Sequence, residues 1–144
     1  MTPEGLGRLR LDEGLRLVAY RDKGGVLTIG YGHTGRDVRD GMTISRIEAD
    51  AMLEHDVSVT EAGLRKLAWT SALDPVRFDV LTNIAFNVGV TELMHWPKTL
   101  GHFAAKDWPA AANDLLHEGK WNDDVGDRAV RLSRVTAAGT WSAA

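Results

Sequence analysis

The chain reads as an α+β protein: a helix, a small antiparallel sheet, one long helix and then a helical bundle, arranged as two lobes. Three observations point to this. Leu15 to Tyr20 and Val26 to Tyr31 are apolar, β-prone stretches on either side of Asp22-Lys23-Gly24-Gly25, which is hairpin composition. Ser45-Arg46-Ile47-Glu48 has the spacing of a capping box and opens a proline-free run to about Lys66. Everything downstream carries helical periodicity and helix-start signals.

Taken in order, Thr2 can cap the first helix and Pro3 fits its first turn. Leu6, Leu9 and Arg10 share one side, and Gly14 is a plausible stop. Gly5 and Gly7 weaken this helix by propensity, so packing must hold it. After the hairpin, a short third strand near His33 to Val38 completes the sheet. Asp74-Pro75 starts a helix through Val88, with Val76, Val80, Leu81, Ile84 and Ala85 apolar. Another covers about Lys98 to Ala105, and Trp108-Pro109 opens one bearing Ala111, Ala112, Leu115 and Leu116. A last helix spans about Asp124 to Ala137. Residues 1–144 are thus one domain, with a sheet-containing lobe at about 13–58. Residues 59–144 with the N-terminal helix form the helical lobe. The long helix is the spine between them, with a cleft alongside.

Bulk properties narrow the chemistry. An apolar share of 44% affords a real core. A net charge of −3 lacks the basic balance of a nucleic-acid binder, and would not by itself suggest an anionic substrate. Without cysteine there is no disulfide scaffold and no thiolate metal site. His55, His95, His102 and His117 lack metal-ligand spacing, so no metal and no cofactor are expected. The opening residues have no apolar leader and no run approaches the ~18 residues of a membrane span. A soluble chain without membrane insertion or a secretion signal of its own is expected.

The most informative residues are Glu13, Asp22 and Thr28, with eight residues between the first two and five between the second pair. Two carboxylates and a hydroxyl, carried by a helix end and a hairpin, suit protonation of a glycosidic oxygen while water is held on the sugar's opposite face. Glu13 falls at a helix C-terminus, where the dipole disfavours a carboxylate and raises its pKa, as a general acid requires. Individually these residues are bland: a solvated Glu, a turn Asp and a strand Thr. Their combination is not.

Asp12-Glu13-Gly14-Leu15-Arg16-Leu17, with Thr28-Ile29-Gly30-Tyr31-Gly32-His33, resembles the phage-type lysozymes. Phe86-Asn87-Val88-Gly89 looks like that family's cleft-bordering segment. Trp121, Arg128-Ala129, Arg131 and Gly139-Thr140-Trp141 resemble its C-terminal signature, so the likeness covers residues 2–141. The resemblance implies a lysozyme-like two-lobe fold and a monomeric muramidase. Such an enzyme cleaves the β-1,4 bond between N-acetylmuramic acid and N-acetylglucosamine in peptidoglycan glycan strands, with inversion. It implies Glu13, Asp22 and Thr28 as catalytic residues and Tyr31, Gly32, Phe86 and Asn87 as substrate-binding ones. It further implies structural ion pairs of Arg128 with Glu13, Arg131 with Asp12 and His33 with Asp56. By the same resemblance, the chain acts as a phage or prophage endolysin, held in the host cytoplasm until a holin-type membrane lesion releases it to the cell wall. Met94-His95-Trp96-Pro97 departs from the family's small-residue stretch, and the segment between Val38 and Ser45 is short. A lytic transglycosylase and a non-catalytic glycan-binding phage module are the alternatives. The intact Asp22 and Thr28 speak against both.

Overall fold

The computed structural model describes residues 1–144. It is mostly helical with one three-stranded antiparallel sheet, and it divides into two compact units. Residues 7–59 form a sheet unit; residues 1–6 and 60–144 form a helical unit. The boundaries fall inside helices α1 (Pro3–Glu13) and α2 (Arg46–Leu64).

The sheet unit has strands β1 (Arg16–Arg21), β2 (Leu27–Gly30) and β3 (His33–Thr34), with β2 in the middle. Tyr20 pairs with Thr28 and Arg21 with Leu27, while the ladder shifts between Arg16 and Tyr20. The outer edge of β1 is covered: Ala19 donates to the Met42 carbonyl (2.9 Å) and Ile44 donates to the Leu17 carbonyl (2.9 Å). That pairing removes the liability of an open strand edge. The strand expected over His33 to Val38 stops at Thr34, because the chain turns at Gly35 and Val38 N–H closes on the Gly35 carbonyl. Helix α2 begins as a reciprocal capping box: Ser45 N–H donates to Glu48 Oε2 (2.7 Å) and Glu48 N–H to Ser45 Oγ (3.2 Å). Its buried residues in this unit, Ala49, Leu53 and Val57, recur every four positions and so share one face. With Ile29, Tyr31, Val38 and Ile44 they are among the unit's buried apolar residues.

The helical unit is built around α3 (Pro75–Val88), in which every residue from Phe78 to Ala85 is buried. A helix buried all round must satisfy its polar side chains internally. Asp79 does so by accepting from Thr2 N–H (3.0 Å), the Thr2 hydroxyl and Trp141 Nε1 (3.3 Å). Asp74 caps α3 by accepting from Arg77 N–H (3.0 Å). Helices α4 (Val90–Leu93), α5 (Pro97–Ala105), α6 (Trp108–Leu115), α7 (Lys120–Val125) and α8 (Asp127–Ala138) follow, with 3₁₀ turns at Ala68–Ala72 and Trp141–Ala143. The single final helix expected from Asp124 is two helices, because Gly126 takes φ +51° and breaks the run. No helix is long and apolar enough to cross a membrane.

The two glycines of α1 differ in surroundings. A β-carbon at Gly5 would overlap the engaged, buried carboxylate of Asp79, whereas one at Gly7 would meet nothing within 4 Å. Gly5→Ala should therefore lower stability, by about 1–3 kcal/mol for an overpacked site. Gly7→Ala should raise it by about 0.5–1 kcal/mol through helix propensity. Denaturant unfolding of the two variants checks this; equal effects would refute the packing argument.

Candidate active site

Glu13 is the last residue of α1, and the helix ends there because Gly14, whose N–H still reaches the Arg10 carbonyl (3.1 Å), takes φ +69°. Glu13 is half-buried. Its carboxylate lies beside the β2–β3 turn: a β-carbon built on Gly32 would come within 3.9 Å of Glu13 Oε2. Gly32 is exposed and sits at φ +88°, so bare backbone adjoins the carboxylate.

Asp22 begins the β1–β2 turn and is exposed. Its Oδ1 accepts from Gly24 N–H (2.9 Å) and Val26 N–H (2.8 Å), and its own N–H donates to the Val26 carbonyl (2.9 Å). Gly25 N–H donates to the Asp22 carbonyl (2.9 Å), closing the turn. Oδ1 is thus committed to the backbone, and Oδ2 is the oxygen left to face solvent. Thr28 is only 3% exposed. Its hydroxyl donates to the same Val26 carbonyl (2.9 Å), so its proton is spent and its lone pairs remain for an incoming donor. Thr28 lies opposite Tyr20 in the ladder. Directly opposed residues share a face, so Thr28 projects to the same side as Tyr20, two residues before Asp22. The Val26 peptide group joins Thr28 and Asp22, through its backbone rather than its side chain.

The other anticipated residues divide between the units. Tyr31 is buried at 4% exposure, while Gly32 is at the surface. In the helical unit Phe86 is half-buried and Asn87 exposed, and Asn87 Oδ1 accepts from Trp121 Nε1 (3.1 Å). Asn87 and Trp121 line a pocket of about 550 Å³ together with Trp96 and Glu118. Trp96 packs edge-to-face on Trp121 at 5.4 Å and is itself buried, so the Met94–Pro97 departure builds the wall of this pocket. Arg128 is buried and bonds Asn83 twice, Nε to the side-chain oxygen (2.9 Å) and a terminal nitrogen to the carbonyl (3.0 Å). Asp12, on α1, and Arg131, on α8, are both half-buried.

His33 stands between two carboxylates, with Nδ1 2.7 Å from Asp56 Oδ2 and Nε2 3.1 Å from Asp37 Oδ2. Sequence reasoning named Asp56 and missed Asp37, although a carboxylate four residues on from a histidine was visible in the chain. Burial opposes the imidazolium, but the hydrogen bonds and charges of Asp56 and Asp37 outweigh it and raise the pKa above its ordinary 6.5. Asp37 is held below the usual carboxylate range, first by its hydrogen bond with His33.

Residues 11–136 match the phage lysozyme family. The endolysin of Salmonella phage P22 is 32% identical over 120 residues, covering 81% of each chain. The endolysin of Bacillus phage B103 is 35% identical over 130 residues, 88% of this chain but 47% of that longer protein. A probable T4-type lysozyme of Dictyostelium discoideum is 26% identical over 161 residues, covering 94% of both.

Because the folded His33 pKa is raised, its stabilising contribution is fully present below the unfolded value near 6.5 and is lost as the pH rises through the folded value. Asp56→Asn should therefore lower the melting temperature most at about pH 5.5 and least at about pH 9. A loss independent of pH over that range would refute the charge argument.

Proposed function

The chain belongs to the phage lysozyme family, and from that premise we propose that it works as an endolysin-type muramidase by inverting general acid/base catalysis. It is a lysozyme, a glycoside hydrolase, and peptidoglycan is its substrate. The proposal concerns the bond cut, the roles of individual residues and the route to the wall. Glu13 protonates the oxygen of the β-1,4 bond between N-acetylmuramic acid and N-acetylglucosamine as the bond to the anomeric carbon breaks. Water adds to that carbon from the opposite face and yields its proton to Asp22, leaving a reducing muramic-acid end.

The observation that supports these roles best is the shared Val26 peptide group. It fixes one oxygen of Asp22, leaves the other without a bond to it, and orients the Thr28 hydroxyl through the same peptide. Thr28 has acceptor capacity for one proton of a water whose other proton is directed at Asp22 Oδ2. Glu13 stands at a helix end with its Oε2 beside Gly32, which carries no side chain. In the helical unit, Phe86 and Asn87 contribute to glycan binding, with Asn87 held by Trp121. The chain acts as a monomer without a cofactor. It accumulates in the host cytoplasm and reaches the wall through a holin-type lesion.

Mass analysis of fragments released from purified peptidoglycan tests the chemistry. The unaltered chain should release reducing muramic-acid ends, and Glu13→Gln and Asp22→Asn should each lower that release by about 10²–10⁴-fold. Anhydro ends would reassign the enzyme as a lytic transglycosylase. Binding without release would make it a glycan-binding module.

A further inference from the structure

We propose that Arg21 and Asp40 are positioning residues for Asp22, clamping the turn that carries it; this rests on the catalytic role given to Asp22 above. The turn from Asp22 to Val26 is exposed throughout and contains Gly24 and Gly25, so side-chain packing does little to hold its tip and hydrogen bonds do most of that work. Four are internal, all involving Asp22. From outside the turn, the Thr28 hydroxyl donates to the Val26 carbonyl, and the Arg21 guanidinium donates through one terminal nitrogen to the Gly25 carbonyl (3.1 Å). Its other terminal nitrogen donates to Asp40 Oδ2 (3.0 Å). Arg21 thus spans from the last residue of β1 across the turn tip to the loop that follows β3.

Asp40 is an anchored partner. Three residues before it, Asp37 is tied to His33 on β3. Two residues after it, Met42 N–H donates to the Arg39 carbonyl (3.0 Å) and the Met42 carbonyl accepts from Ala19 N–H on β1 (2.9 Å). The loop is therefore fastened to the sheet on both sides of Asp40, and Arg21 passes that fixation to the Gly25 peptide. Gly25 N–H in turn bonds the Asp22 carbonyl. A guanidinium suits this span because its donors point in fixed directions to two acceptors at once.

The pair is exposed, Arg21 at 58% and Asp40 at 77% of the side chain, and exposed pairs contribute little to global stability. A positional role is therefore separable from a structural one. Misplacing a catalytic group by a fraction of an ångström costs rate rather than folding. The bridge joins the residue that immediately precedes Asp22 to the loop after β3.

The test compares Arg21→Ala, Arg21→Lys, Asp40→Asn and the Arg21→Ala/Asp40→Asn double variant with Asp22→Asn as reference. Turnover and KM on solubilised peptidoglycan, melting temperature, and exchange rates of the Gly24 and Val26 amides that bond Asp22 Oδ1 would be measured. Arg21→Ala and Asp40→Asn should each lower kcat about tenfold with KM unchanged. The double variant should be no worse than either single one, Arg21→Lys should fall between, and the melting temperature should stay within about 4 °C. Gly24 and Val26 amide exchange should quicken in the same order. Full kcat in Arg21→Ala, with Asp22→Asn inactive, would overturn the clamp and leave Asp22's role standing. A raised KM at unchanged kcat, or a lost kcat with undisturbed amides, would also overturn it. Full turnover in Asp22→Asn would remove both claims together.

Discussion

A single peptide group, that of Val26, is the fixed point of the sheet unit's chemistry. Its carbonyl accepts from the Asp22 amide and the Thr28 hydroxyl, and its N–H holds Asp22 Oδ1. The Val26 side chain is exposed and does none of this. Any residue able to adopt the same backbone could stand there, so the position carries function without a recognisable side chain. The arrangement also economises on conformational entropy. Asp22 and Thr28 are oriented largely by groups that the hairpin must satisfy anyway, with Arg21 the one long side chain added across the turn.

The helical unit meets a different demand. Helix α3 is buried on all sides yet contains Asp79, Thr82 and Asn83, and each is satisfied within the protein. Asn83 receives the buried Arg128 through two oxygens, which pins α8 to α3 with directional bonds as well as apolar contact. Asp79 gathers Thr2 and Trp141, residues from opposite ends of the chain. Leaving any of these groups unpaired would cost far more than the bond contributes when made, so these polar contacts specify one arrangement of the bundle.

Features dictated by local chemistry were legible in the sequence: the hairpin around Asp22, the Ser45–Glu48 capping box and the Asp74–Pro75 helix start all follow from a few adjacent residues. What was hidden depends on context. The break at Gly126 looks in sequence like a tolerated helical glycine, and only its positive φ separates α7 from α8. Helix α4 has four residues, too few for any period to emerge. At the candidate site, the spacing of Glu13, Asp22 and Thr28 was visible, while the Val26 node and the Arg21–Asp40 bridge were not. A backbone carbonyl has no residue-type signature, and Asp40 lies nineteen positions from Arg21. Asp37 was the nearer miss. It needed only the recognition that two acids can share one imidazole across both ring nitrogens.

The two proposed catalytic carboxylates are held in unlike ways, and the difference suits their tasks. Asp22 must present one lone pair to a small, mobile water, so one oxygen is tied down by two amides and the other faces outward. Glu13 must deliver a proton to an oxygen embedded in a bulky glycan, so what matters beside it is room. Gly32 provides that room at a φ of +88°, which side-chain-bearing residues rarely adopt. An alanine there would carry its methyl to 3.9 Å from Glu13 Oε2, an ordinary contact in the free protein. In the proposed mechanism the same methyl would crowd the oxygen that Glu13 protonates. In that mechanism the glycine thus answers a backbone demand and a substrate demand at one position, whereas Gly25 in the Asp22 turn, at φ +79°, answers only the first.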